Sequence, residues 1–275
     1  MKIPGESRGI GTSFIPILEK LPVLSWYAKT RGWHYVISWL HRFTGIGLII
    51  MLIVHMYTLS SLQTPDVDPA KIKVIVSPVF LFLAWASSLV VGFHALNGGR
   101  LILYELFGKR SDEAMIRWTF GLSAAYAAMV GLMMMMKNQH VSTFFFWLMA
   151  FSSGAIAAYV VASRIWNKRH SVFWKLQRIS GAFLFITVPA YLLFSCLNPG
   201  EADGAHEAIA WMQNVFTHLV FLTLATCALF HAGYGLFSIA ADYTSPGITR
   251  AGMTALIIVL IAVLAVSAFR LILSV

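Results

Sequence analysis

The sequence predicts an all-α integral membrane protein, with seven transmembrane helices forming two parallel three-helix repeats joined by one extra crossover span. Three observations predict it: an apolar composition, seven apolar stretches of spanning length, and a motif that occurs twice. Hydrophobic residues make up 59% of the 275 residues and charged residues 11%, with a mean hydropathy of +0.76. A soluble domain does not carry that balance.

Residues 1–35 hold no compact apolar run ending in a small-residue cleavage site, so a removable signal peptide is not expected. They read as a cytoplasmic arm with a short helix at the interface. Spanning a bilayer takes about 20 apolar residues, and the stretches that qualify are 36–62, 78–103, 114–136, 142–164, 173–197, 209–240 and 251–274. With the N-terminus inside, only Lys71, Lys73, Lys137 and Arg270 of the 20 Lys and Arg residues fall on the outer side. That asymmetry is a positive-inside signal and accounts for the net charge of +9. Because the basic residues are spread over short loops of a lipid-embedded chain, nucleic acid is not an expected partner.

The repeat is legible at Leu40-His41-Arg42-Phe43-Thr44-Gly45 and Leu176-Gln177-Arg178-Ile179-Ser180-Gly181, both Leu-x-Arg-x-(Thr/Ser)-Gly at the inner start of a span. A histidine follows each arginine at nearly the same distance: His94 after Arg42, and His231 after Arg178. The expected units are 1–35, the arm; 36–136, the first repeat; 137–172, the crossover helix and loop; and 173–275, the second repeat. A three-helix unit starts and ends on opposite sides, so two units of the same orientation need a seventh span between them.

His94 and His231 lie in the second span of each repeat, and each is followed eleven residues later by an acid, Glu105 and Asp242. At 1.5 Å per residue both sit about 16 Å from the inner boundary, at matched depth. A buried membrane histidine needs a partner. Either each ring donates a hydrogen bond between helices, or the two ligate one haem b between them; the match across the repeat favours ligation. Gly98 and Gly235, one turn beyond each histidine on the same face, would let a porphyrin approach the backbone. His41 and Arg100 could meet haem propionates.

A second haem nearer the outer surface would want two more ligands. His55 stands ten residues after Gly45, and Tyr191 occupies the corresponding place after Gly181. His218 is the other candidate, yet thirteen residues from His231 it falls about 220° around the helix. His34, His140, His170 and His206 read as loop or tail residues in contact with water. Cys196 and Cys227 are too few for an iron–sulfur cluster and read as small apolar side chains.

At the inner surface Ser38 and Arg42 stand one turn apart, and Asp242-Tyr243 reaches the same level. A hydroxyl, a guanidinium and a phenol there suit the two carbonyl oxygens of a quinone head group. Ordinary interfacial anchoring uses the same residue types.

These residues carry a resemblance. Ser38-x-x-His41-Arg42-x-Thr44-Gly45 and His94-x-x-x-Gly98-x-Arg100 resemble the cytochrome b subunit of succinate dehydrogenase, complex II. His231-Ala-x-x-Gly235 followed by Asp242-Tyr243 is similar to its companion hydrophobic subunit, so the chain looks like a single-chain fusion of the two. The resemblance implies one haem b with His94 and His231 as axial ligands. It implies a quinone site at Ser38, Arg42 and Tyr243, with Asp242 beside them. It implies an FAD-containing flavoprotein and an iron–sulfur subunit as partners, in a bacterial cytoplasmic membrane with the N-terminus inside. Thr44-Gly45 through His55-Met56 also resembles the single-chain, di-haem anchors of fumarate reductases. Two further readings stay open. A membrane cytochrome b of a hydrogenase or formate dehydrogenase predicts two haems and no three-helix repeat. A transporter with parallel repeats predicts a midplane substrate cavity and no visible absorption.

Overall fold

A backbone in hydrocarbon must satisfy its own hydrogen bonds, and the chain does so with helices. The computed structural model describes residues 20, 22–61, 77–108, 112–136, 141–197 and 214–273. Among them are eight helices: α1 Pro22–Arg31, α2 Trp33–Ser61, α3 Pro78–Phe107, α4 Asp112–Met136, α5 Thr143–Ile165, α6 Val172–Leu197, α7 Val215–Tyr243 and α8 Ile248–Leu273. All except α1 are long and apolar enough to cross a membrane, giving the seven spans expected.

The boundaries depart from the hydropathy pattern at one end. Helices α2, α3 and α7 run three or four residues beyond the expected spans, to take in Trp33, Phe107 and Tyr243. Hydropathy marks only the hydrocarbon portion, whereas helix continues through the interface, where Glu105 and Asp242 are tolerated. At its other end α7 begins at Val215, where the side chain of Asn214 accepts from the amide of Phe216 at 2.9 Å. The earlier residues 209–213, included in the expected span, lie outside the described residues. The short helix expected in the arm is α1, and Gly32, at φ +83°, turns the chain from α1 into α2.

Helices α2, α3, α6 and α7 close a four-helix ring, α2 on α3, α3 on α6, α6 on α7 and α7 on α2. Helix α4 flanks α3 and reaches α6; α8 flanks α7 and reaches α2. Exchanging the first three spans for the last three leaves this pattern unchanged, the mark of a pseudo-two-fold axis through the ring. Each flanking helix is held by its own apolar cluster. Ile37, Phe93 and Ile116 join α2, α3 and α4, and Met56, Leu229, Leu264 and Leu271 join α2, α7 and α8.

The unpaired helix is α5. It lies along α6 and touches α3 and α7. Small residues allow this approach: a Cβ on Gly154 would stand 2.9 Å from Thr187 Cγ2 and 3.0 Å from Phe183. At one end α5 is fixed by Trp147, buried with Phe194 and Val220. At the other, Val161 and Ile165 pack with Ala182, Ile102 and Leu106.

Candidate functional site

The ring brings His94 of α3 and His231 of α7 opposite each other across the axis. Their ring centroids are 6.5 Å apart, with planes at 85°. Both Nδ1 atoms are engaged in the same way. His94 Nδ1 lies 3.2 Å from the carbonyl oxygen of His41 and 3.2 Å from Thr44 Oγ1. His231 Nδ1 lies 3.3 Å from the carbonyl of Gln177 and 3.4 Å from Ser180 Oγ. A carbonyl only accepts, so each Nδ1 carries the proton and donates it, and Nε2 is left as the basic nitrogen. A metal-bound histidine is oriented by just such a contact.

The repeated motif supplies these contacts. Residues His41 and Gln177 present the carbonyls, Thr44 and Ser180 the hydroxyls, and Gly45 and Gly181 the clearance. A Cβ on Gly45 would stand 3.1 Å from His94 Cε1, and one on Gly181 would stand 3.0 Å from His231 Cε1. The sequence shows this motif as a marker of the repeat; its task as the cradle of the two rings escapes sequence reasoning, because nothing along the chain says which ring packs against which glycine.

The residues present fit a haem by three observations. Two imidazoles bound to one metal ion at about 2 Å each put their ring centres about 6 Å apart, close to the spacing seen. Arg100 of α3 is buried, at 5% exposure, and its Nε and NH1 find no acceptor. A buried guanidinium without an anion is unfavourable, and a propionate would supply one. Lastly, His41 Nδ1 and Gln177 Oε1 are buried polar atoms without partners, on the two residues whose carbonyls hold the rings. The ground above Gly98 and Gly235 is taken by those same side chains. A Cβ on Gly98 would meet His41 Cε1 at 3.6 Å, and one on Gly235 would meet Gln177 Nε2 at 3.8 Å. The His41 ring stacks on His94 at 4.1 Å.

The outer pair is arranged differently. His55 and Tyr191, equivalent positions of α2 and α6, meet directly, with Tyr191 Oη 3.0 Å from His55 Nε2. That hydrogen bond uses the nitrogen a second iron would need and leaves no gap for one. His218 lies in the first turn of α7, about 20 Å along the helix from His231.

At the surface where α3 and α7 end, Arg42 NH2 is 2.6 Å from Asp242 Oδ2. Its guanidinium stands over the Tyr243 ring at 5.6 Å, and Trp39 meets the same ring edge-on at 6.2 Å. Ser38, one turn before Arg42, is exposed beside them. The four residues expected to form one site thus share one surface of the protein, Arg42 from α2 and Asp242-Tyr243 from α7. Glu105 proves to be more than a depth marker: Arg178 Nε and NH2 reach its two oxygens at 2.9 and 2.7 Å. His170 is exposed in the loop after α5, as expected, and stacks on Trp174 at 4.0 Å. His140 and His206 lie outside the described residues. Both thiols, Cys196 and Cys227, are free and half-buried in their helices.

The succinate dehydrogenase/fumarate reductase transmembrane subunit family matches the chain twice, over residues 21–136 and again over 158–269. The chain belongs to this family. Its two matches are the two halves that the ring relates by symmetry, so a single polypeptide carries two copies of the transmembrane subunit unit. As a member of the family it is a membrane anchor of a succinate dehydrogenase or fumarate reductase complex, and the seven apolar helices agree with a multi-pass location. No curated protein and no solved structure matched the chain.

Proposed function

We propose that the chain is the haem b-bearing anchor of a succinate:quinone oxidoreductase, docking a flavoprotein and an iron–sulfur subunit and passing electrons to membrane quinone. The observation that carries this reading is the matched histidine pair, two rings from symmetry-related helices with both Nδ1 atoms committed to backbone carbonyls. His94 and His231 would hold the iron, and Arg100 and His41 would receive the propionates. When bound, the haem supplies a one-electron store beside the quinone site.

The chain's own residues do the rest. Quinone reduction consumes two electrons and two protons and yields quinol. The electrons come from the iron–sulfur partner, since two cysteines form no cluster here. Arg42 stabilises negative charge as it develops on one head-group oxygen. The exposed hydroxyl of Tyr243 donates a hydrogen bond to the quinone, and Asp242 orients Arg42 through their ion pair. Ser38 offers a second hydroxyl. The partners dock on the side of the membrane that carries Lys29, Arg31, Arg164 and Arg169, the cytoplasmic side by the positive-inside bias.

Succinate oxidation and fumarate reduction use the same parts. The Tyr191–His55 hydrogen bond favours one haem over the two of a di-haem fumarate reductase anchor, and the twofold match to one subunit family disfavours a hydrogenase-type cytochrome. The test is a pyridine haemochrome assay on the purified complex, with its co-purifying subunits identified. One haem b per anchor, with a flavoprotein and an iron–sulfur protein, is expected. A colourless complex from haem-replete cells sinks the reading.

A further inference from the structure

The pseudo-two-fold axis gives the Arg42 site a counterpart. Arg42 of the first repeat pairs with Asp242 of the second, and Arg178 of the second pairs with Glu105 of the first. Both arginines adjoin the residue whose carbonyl holds a histidine ring, so both surfaces stand equally close to the histidine pair. Their exposure differs. Side chains of Arg42 and Asp242 are 32% and 53% exposed, against 25% and 29% for Arg178 and Glu105.

The difference traces to the helix without a symmetry mate. From α5 the chain enters a short loop that is fastened over the Arg178 side. Lys168 Nζ donates to the carbonyl of Glu105 at 2.6 Å. His170 stacks on Trp174 at 4.0 Å, and Trp174 lies 4.3 Å from the Arg178 guanidinium. Trp174 occupies the place that Ser38 has in the first repeat, and Leu106 the place of Tyr243. Leu106 is packed beneath Ile165 and Val161 of α5, whereas Tyr243 is 56% exposed.

We propose that α5 and the loop after it plug a second quinone-type pocket at Arg178–Glu105, so that the histidine pair is served by one quinone site. This rests on reading Arg42–Asp242 as that site. It gives the crossover helix a task besides returning the chain across the membrane: where two copies of one unit meet about an axis, each off-axis site occurs twice unless a substitution breaks one copy or a third element covers it.

The test is photolabelling of the purified complex with an azido-quinone, followed by peptide mapping, with haem content measured alongside as a check on folding. In the unmodified complex label is expected on the peptides holding Ser38–Arg42 and Tyr243, at one per haem. In Lys168→Ala/His170→Ala, which loosens the loop without touching the transmembrane packing, and in Trp174→Ser, label is expected also on the peptide holding Arg178, rising towards two per haem. Unchanged labelling in both variants at normal haem content overturns the plug, as does an unmodified complex already labelled on both sides. Absence of label at Ser38–Arg42 in the unmodified complex instead overturns the quinone reading itself.

Discussion

The sharpest residue-scale consequence concerns the glycines that clear the histidine rings. A methyl at position 45 would press on His94 Cε1 at 3.1 Å, so the ring must give by a few tenths of an ångström, which disturbs its contact with the His41 carbonyl. Gly45→Ala should therefore lower the haem-to-protein ratio, read from the reduced spectrum. Gly47→Ala, whose Cβ would find only Val90 Cγ1 at 4.0 Å, should leave it unchanged. His94→Ala or His231→Ala should remove the b-type spectrum altogether; unaltered absorbance would refute the ligand assignment. Arg42→Ala should retain haem yet slow quinone reduction about tenfold to a hundredfold, the equivalent of one charged hydrogen bond of about 1.5–3 kcal/mol. Steady-state turnover with quinone decides it, and normal turnover would contradict the role. Tyr191→Phe leaves His55 Nε2 without its partner in a half-buried position, and should cost about 1 kcal/mol of stability while the haem count stays at one.

Between elements, the two arginine–carboxylate pairs are cross-repeat clasps, α2 to α7 and α6 to α3. The second is bidentate and the better shielded. Arg178→Ala should consequently lower the thermal midpoint of the detergent-solubilised complex more than Arg42→Ala does, with equal shifts counting against the distinction. Contact between α5 and α6 depends on the absence of a side chain at position 154. Gly154→Leu should separate the two helices and reduce the yield of assembled complex, whereas Gly121→Ala, with open space around it, should not. Helix α6 also accepts a bond from outside itself: Tyr126 of α4 donates its hydroxyl to the carbonyl of Pro189 at 2.8 Å. Proline brings no amide to the helix ladder, and the hydroxyl ties α4 to α6 at that point.

For the whole molecule, symmetry explains most of what is seen. Two equivalent helices contribute one imidazole each, and that arrangement places both rings at the same depth around one axis. The same symmetry would give two outer histidines, two interfacial tyrosines and two equally exposed arginine–carboxylate pairs, and each of these is broken: Tyr191 replaces one, Leu106 another, and α5 with its loop shields one of the pairs. The proposed function thus lies where symmetry is kept, at the ring centre, and where it is lost in one direction only, at the Arg42 surface.

The sequence by itself determined the solvent, the seven spans, the repeat and the depth of the two histidines, because hydropathy and residue spacing are properties of a chain and helix rise converts spacing into distance. It also marked Ser38, Arg42, Asp242 and Tyr243, since each stands near a helix end whose level is countable. Tertiary structure alone decided what those residues touch: that Gly45 and Gly181 press on the rings, that His41 and Gln177 give carbonyls as well as side chains, that Glu105 belongs to Arg178 across the repeat, and that α5 closes one surface and not the other. Such contacts depend on which helix lies beside which and on the rotation of each about its own axis. Packing between helices sets both, and no count along a single helix contains them.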